Sequence, residues 1–155
     1  MSISTRLKTV LDENRVPYTA MAHTTAYTAH GAAATMKVSG KELAKTVVLR
    51  AGEDIVLAVL PAAHHASLEK MSSLLGKPTR LATEQEFGAL FPDCELGAMP
   101  PFGELYGLPI YVDESLAADE EIVFNAGTHH DAIRLRYEDF ARLAKPVVCA
   151  FATKG

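Results

Sequence analysis

Two adjacent prolines, Pro100 and Pro101, stand between Gly97 and Gly103, and no helix interior or central strand can run through them. Proline fixes φ and removes a backbone donor, whereas glycine admits conformations and close approaches closed to other residues. The stretch Cys94-Glu-Leu-Gly-Ala-Met-Pro-Pro-Phe-Gly103 therefore predicts a stiff loop in a chain that otherwise alternates short apolar runs with turn residues. Its remaining amides near Gly97 and Ala98 are expected to be free to meet a small ligand or an oxyanion. An ordinary tight connection between strands fits the same spacing.

The runs around this loop are short and of mixed period. Ile3, Leu7, Val10 and Leu11 share one helical face, and Val16-Pro17-Tyr18 ends that helix. Thr25 caps a short helix to about residue 35 that carries Tyr27 and His30. A second short helix over 40–44 leads into a strand at 45–50, which forms a hairpin with 55–60 across Ala51-Gly-Glu-Asp54. Residues 67–75 read as a helix with Leu68, Met71, Leu74 and Leu75 inward and Gly76 as its stop. Thr83-Glu-Gln-Glu86 is a capping box for a helix running to Phe91-Pro92. Beyond the loop, 108–112, 121–125 and 132–136 read as strands, 138–144 as a helix and 147–151 as a last extended segment. Helices placed irregularly among five to seven strands predict an α+β fold with a mixed sheet, as a single domain over 1–155.

A chain of 155 residues, 48% hydrophobic, suits one core and is short for two. No apolar run approaches the ~18 residues of a membrane helix, and the N-terminus lacks signal-peptide features. Cys94 and Cys149 have no metal or redox spacing, so a reducing cytoplasmic setting without membrane contact is expected. Residues 1–80 hold ten Lys/Arg and six Asp/Glu, net +4; residues 81–155 hold five and thirteen, net −8. A protein that wraps long nucleic acid is normally basic throughout, because counterion release drives that binding. This chain can engage at most a short piece through a local patch, for which Lys37, Lys41, Lys45 and Arg50 are candidates. A solvated helix face and a strand end account equally well for Lys37 and Lys41.

The sequence contains no Gly-x-Ser-x-Gly elbow, Walker loop or Gly-x-Gly-x-x-Gly fingerprint. His23, His30, His64-His65 and His129-His130 show no metal-ligand spacing, and adjacent histidines on a strand point to opposite faces. No metal or cofactor is expected. Cys94 beside the loop has no basic neighbour in sequence and suits a small core residue better than a nucleophile. What remains is Lys45 at the mouth of an apolar strand, the glycine-proline loop, and the turn Asn125-Ala-Gly-Thr-His-His130 after another strand. A snorkelling edge lysine and a hairpin turn with exposed histidines are the plain alternatives.

Taken together, Gly40-Lys-Glu-Leu-Ala-Lys45-Thr-Val-Val-Leu, Leu57-Ala-Val-Leu-Pro61, Gly97-Ala-Met-Pro-Pro-Phe-Gly103 and Phe124-Asn-Ala-Gly-Thr-His-His130 resemble the YbaK/EbsC family. Its members are relatives of the editing domain inserted in bacterial prolyl-tRNA synthetase. The resemblance spans roughly residues 20–150, with the blocks in family order. It implies a mostly antiparallel sheet or open barrel flanked by helices. It also implies a free-standing deacylase that hydrolyses a small amino acid from mischarged tRNA, on tRNA-Pro or a similar tRNA. A non-catalytic module binding an aminoacyl-tRNA, a nucleotide or a synthetase is the alternative, and a metal-dependent hydrolase using the histidines is a third.

The resemblance assigns Lys45 to the tRNA 3′ end and Gly97, with Ala98, to the ester carbonyl or the attacking water. His130, or else His129, would close the amino-acid pocket or position water. Asn125 and Gly127 would form its wall, with Met99 beside them and Pro101 as the loop's proline, and Tyr27 and His30 would cover it. The expected partner is the acceptor end of a mischarged tRNA, with an aminoacyl-tRNA synthetase as a further candidate; no DNA is expected.

Overall fold

The computed structural model describes residues 4–22, 43–95 and 97–154. The scaffold is built on one antiparallel hairpin, β2 (Leu43–Ala51) against β3 (Asp54–Pro61), in register from Ala44 opposite Pro61 to Ala51 opposite Asp54. Leu57, Ala58, Val59 and Leu60 of β3 are all fully buried. A run apolar at every position, not every second one, belongs to a strand covered on both faces. β3 is such a strand, with β2 on one side and β6 (Ile110–Asp113) parallel to it on the other.

The rest of the sheet grows outward from this pair. β7 (Glu121–Asn125) lies parallel to β2, and β8 (Asp131–Arg136) and β1 (Thr19–Ala22) follow antiparallel. β9 (Val147–Cys149) closes the far edge beside β6, giving the order β1-β8-β7-β2-β3-β6-β9. β5 (Thr79–Leu81) pairs with the end of β2, and β4 (His64–Ala66) with β10 (Ala152–Lys154) forms a separate ribbon. The fold is α+β, a mixed and mostly antiparallel sheet flanked by helices, as the sequence leads one to expect.

Each face of the sheet carries its own core. Leu57, Val59, Ile122 and Phe124 turn toward the aromatic rings of Phe91, Phe102 and Phe140 and toward helix α1 (Thr5–Glu13), which inserts Leu7 and Leu11. Leu49, Val56, Ala58 and Leu60 face the other way, against Phe151 and Met71 of helix α2 (Leu68–Leu75). Ser67 caps α2 and Gly76 ends it in the left-handed conformation. Leu74, expected inward, is half exposed because the buried stripe runs through Leu68, Met71 and Leu75.

Other elements differ from expectation, the short strands β4, β5 and β10 among them. Leu43 and Ala44 are strand, not helix, because they pair with Val123 and Phe124 and are buried there. The Thr83–Glu86 capping box forms, but its helix, α3 (Glu84–Phe87), lasts one turn and tightens into a 3-10 turn from Gly88. A further one-turn helix, α4 (Glu114–Ala117), follows β6, and α5 (Tyr137–Ala144) follows β8. The helix placed over 25–35 lies outside the described residues.

Asp113, at the end of β6, fastens the C-terminal segment. Its buried carboxylate accepts the backbone N–H of Phe151 at 2.9 Å and of Ala152 at 2.8 Å, and that of Ser115 at 3.0 Å. Burial works against the charged form, but the Ser115 hydroxyl, which also donates to Asp113 Oδ2, and these backbone N–H groups outweigh it and hold the carboxyl below its ordinary range. Asp113→Ala strands buried donors and is expected to lower the unfolding free energy by about 2–3 kcal/mol at neutral pH. A depressed carboxyl stabilises the fold above its unfolded pKa and loses that effect as pH falls through the folded value. The gap between parent and variant in urea unfolding should therefore narrow on acidification.

Candidate active site

The turn between β7 and β8 is held from within. Thr128, fully buried, donates its hydroxyl to Asp131 Oδ2 at 2.7 Å and accepts the N–H groups of His130 and Asp131 at 3.1 and 3.0 Å. Ala126 N–H reaches Asp131 O at 2.9 Å. Gly127, at φ +104°, makes the reversal that an L side chain rarely adopts. A Cβ on Gly127 would also meet Ser4 Cβ at 3.1 Å and Ser4 N at 3.2 Å.

The glycine-proline loop is bonded directly onto this turn. Glu95 N–H donates to Gly127 O at 2.7 Å, and Gly127 N–H donates to Ala98 O at 2.9 Å. The Glu95 carboxylate takes His129 N–H at 2.7 Å. From the other side Ser4 N–H donates to Ala126 O at 2.8 Å, while Ser4 Oγ donates to Asp93 Oδ2 at 2.5 Å. Two segments about thirty residues apart in sequence thus form one backbone-bonded unit.

Within it, Gly97 and His129 stand face to face: a Cβ on Gly97, at φ +87°, would lie 3.4 Å from His129 Cε1. His129 is buried, whereas His130 is exposed; both lie in the turn and not in a strand. The loop amides are less free than the sequence suggests. Ala98 N–H closes a turn onto Glu95 O at 3.1 Å, and Gly97 N–H points at Met99 Sδ, 3.2 Å away. A thioether is a weak acceptor. The buried amide of Met99 makes no hydrogen bond to the described residues. Ala98, Met99 and Pro101 all pack inward, Met99 among the core residues around Phe102.

Lys45 and Asn125 come together through the sheet. β2 and β7 run parallel with Leu43 opposite Val123 and Ala44 opposite Phe124, the last pair of that ladder, so Lys45 and Asn125 are the next residues along two neighbouring strands. Ala44 and Phe124 both face the aromatic core; Lys45 and Asn125 therefore share the opposite face, on which Leu60 is the antiparallel neighbour of Lys45. Lys45 is half-buried, and no carboxylate among the described residues pairs with it. Burial alone pulls its pKa below the ordinary lysine value. Asn125 is only 9% exposed, and its Oδ1 has no hydrogen-bond partner. Asn125 and His129 bracket the turn, so the two pairs, Lys45–Asn125 and Gly97–His129, sit at the two ends of one short segment.

Other candidates fall elsewhere. Arg50, five residues along β2 from Lys45, is committed to Glu86 at 2.7 Å, which Arg80 also grips at 2.8 Å. Tyr27, His30, Lys37 and Lys41 lie outside the described residues. Cys94 is packed in the core against the Tyr106 hydroxyl at 3.2 Å, and burial pushes its thiol up to about 11, far from a thiolate at neutral pH. Among the described residues no three His, Cys, Asp or Glu side chains gather as metal ligands. A cleft of about 430 Å³ near Ile55, Leu75 and Tyr111 includes none of the candidate residues.

Sequence reasoning missed Glu95, Ser4 and Asp93, whose partners are distant in the chain. The spacing of Thr128 and Asp131, three residues apart around a turn, was a usable local signal.

A family model for the aminoacyl-tRNA editing domain matches residues 23–143, most of the chain and all of the loop and turn of this site. The chain belongs to that family. The multifunctional Ser/Thr-tRNA deacylase ProXp-y of Escherichia coli (strain K12) is 35% identical over 98 residues, covering 62% of this chain and 58% of that protein. The chain thus matches little more than half the length of this curated relative. The crystal structure of hypothetical protein APE2540 superposes with a TM-score of 0.85 at 20% identity, covering 96% of this chain and 99% of that one. That of a proposed trans-editing enzyme for prolyl tRNA synthetase gives 0.82 at 24%, covering 97% and 96%. At these identities the two structures establish the fold alone. No helix among the described residues is long and apolar enough to cross a membrane.

Two outcomes follow from this geometry. Lys45→Met should raise the melting temperature at neutral pH, because an uncompensated half-buried charge is removed. Between the lowered folded pKa and the unfolded value the unfolded chain binds more protons, so the parent gains stability as pH rises and the difference should shrink toward pH ~10. Gly127→Ala should cost about 1–3 kcal/mol in urea unfolding. That loss should exceed the loss in Gly107→Ala, where φ is +71° but nothing lies within 4 Å of the added Cβ.

Proposed function

We propose that this chain is a trans-acting aminoacyl-tRNA deacylase, which removes a small amino acid wrongly attached to the 3′ end of a tRNA. The observation that carries the reading is a half-buried ammonium, Lys45, with no carboxylate partner among the described residues, on the strand beside the one that leads into the loop-and-turn unit, in a member of the editing family. Its partner is the acceptor end of the tRNA, on tRNA-Pro or a similar tRNA, and its setting is the cytoplasm. Association with an aminoacyl-tRNA synthetase is a further part of the proposal. Only the CCA end need be held, which suits a chain of net charge −4.

Lys45 holds the 3′ end through phosphate oxygens. The ester carbonyl lies toward Gly97, whose N–H exchanges the Met99 thioether for the developing oxyanion; the unpaired Met99 amide is the second candidate donor, in place of Ala98. Each such donor is worth about 3 kcal/mol in comparable sites. His129, buried against Gly97, takes the role of closing the amino-acid pocket or positioning water in preference to His130. Asn125, Gly127 and Met99 form the wall, and Pro101 stiffens the loop.

The reaction needs no protein nucleophile, in keeping with the protonated Cys94. An aminoacyl ester is already activated, so positioning supplies much of the acceleration. Water adds to the carbonyl carbon, the bond to the ribose oxygen breaks, and that oxygen leaves with a proton; the adjacent ribose hydroxyl can help activate the water. The substrate class is a small residue, with alanine and serine favoured and threonine added by the curated relative's name.

The test is a deacylation panel with tRNA-Pro charged with Ala, Ser, Thr, Cys or Pro. The expected result is hydrolysis of at least one small non-cognate ester, with Lys45→Ala slowed about tenfold to a hundredfold. His129→Ala should lose more than His130→Ala. No hydrolysis anywhere in the panel would favour a binding module instead.

A further inference from the structure

Asn125 poses a problem that the deacylase reading leaves unanswered. A buried amide oxygen without a partner costs about as much as a lost hydrogen bond, and native folds rarely leave one so. Asn125 Oδ1 is in that state, on a side chain 9% exposed, at the end of β7. One strand away Lys45 carries the complementary deficiency, a half-buried ammonium with no acceptor among the described residues. The register of β2 and β7 puts the two on one face of the sheet. An acceptor and a donor, each unsatisfied among the described residues, thus lie on one face of neighbouring strands.

The chemistry of such a pair is selective. A carboxylate or phosphate oxygen, such as the one proposed for the 3′ end, can take one of the three Lys45 donors but has no proton to give the Asn125 oxygen. An ammonium would satisfy Asn125 but be repelled by Lys45. A hydroxyl can accept from one and donate to the other. Resting on the deacylase reading, we infer that Asn125 and Lys45 together recognise a hydroxyl group of the substrate, with Asn125 Oδ1 accepting its proton. Two hydroxyls meet that description in an aminoacyl-tRNA: the free hydroxyl of the terminal ribose, and the side-chain hydroxyl of an attached serine or threonine.

The test compares Asn125→Leu, which is nearly isosteric, with the parent on tRNA-Pro esters of serine and of alanine. Each is prepared with a normal and with a 2′-deoxy terminal adenosine. Single-turnover rates are measured together with thermal unfolding. The expected result is a loss of about tenfold or more in Asn125→Leu on one substrate class, since sites built to bond a hydroxyl discriminate strongly against its absence. If the side chain is the source, the loss seen with serine disappears with alanine. If the ribose is the source, the loss disappears with the 2′-deoxy end for both amino acids. The melting temperature of Asn125→Leu should stay level or rise, because no internal hydrogen bond is lost. A variant as fast as the parent, an equal loss on all four esters, or a clear fall in melting temperature would overturn the inference while leaving the deacylase reading standing. A parent that hydrolyses none of the esters would overturn both.

Discussion

Two backbone hydrogen bonds, Glu95 N–H to Gly127 O and Gly127 N–H to Ala98 O, hold the candidate site in one piece. They work because both segments are conformationally restricted before they meet. The doubled proline supplies no competing donors, and Gly127 supplies a reversal closed to other residues. Thr128 and Glu95 then consume the polar groups that such a junction would otherwise bury unpaired, and Ser4 brings α1 against the same turn. Loops that carry function are usually the mobile part of a fold. Here the loop is tied to the sheet by main chain, so its groups keep fixed positions without a bound ligand.

That rigidity suits the chemistry proposed for the family member. Where the acyl group arrives activated, the protein's contribution is placement and a few aimed dipoles. Groups left with unmet hydrogen-bonding capacity, Lys45 and Asn125 above all, are then poised for something other than the fold. Natural chains tend to accept local energetic cost at sites of use and recover it elsewhere. The doubly covered β3 and the Asp113 clamp are where this molecule recovers it.

Much of this was legible in the residues. The β2–β3 hairpin, the β7–β8 pair, α2 with its glycine stop and the capping box all rest on local rules, and local rules suffice for them. The three-residue strands β4 and β5 and the helix α4 were not legible, because elements that short draw their stability from partners far along the chain. Leu43 and Ala44 were misread for the same reason: pairing with β3 on one side and β7 on the other makes them strand. At the site, the residue types and the two glycine motifs were visible in advance. Which histidine lies buried against Gly97 was not, nor was the engagement of the Ala98 amide, since each depends on how two distant segments lock together.

The parallel pairing of β2 with β7 has a consequence for how the molecule comes into being. Lys45 leaves the ribosome long before Asn125 does, and everything between them must be made before the two strands can touch. Until then one side of the nascent hairpin is an open edge, with the apolar Leu43 and Ala44 uncovered, the kind of surface on which incomplete chains aggregate. The site therefore cannot assemble before β7 and its turn have been made, and a product interrupted before residue 121 would lack it.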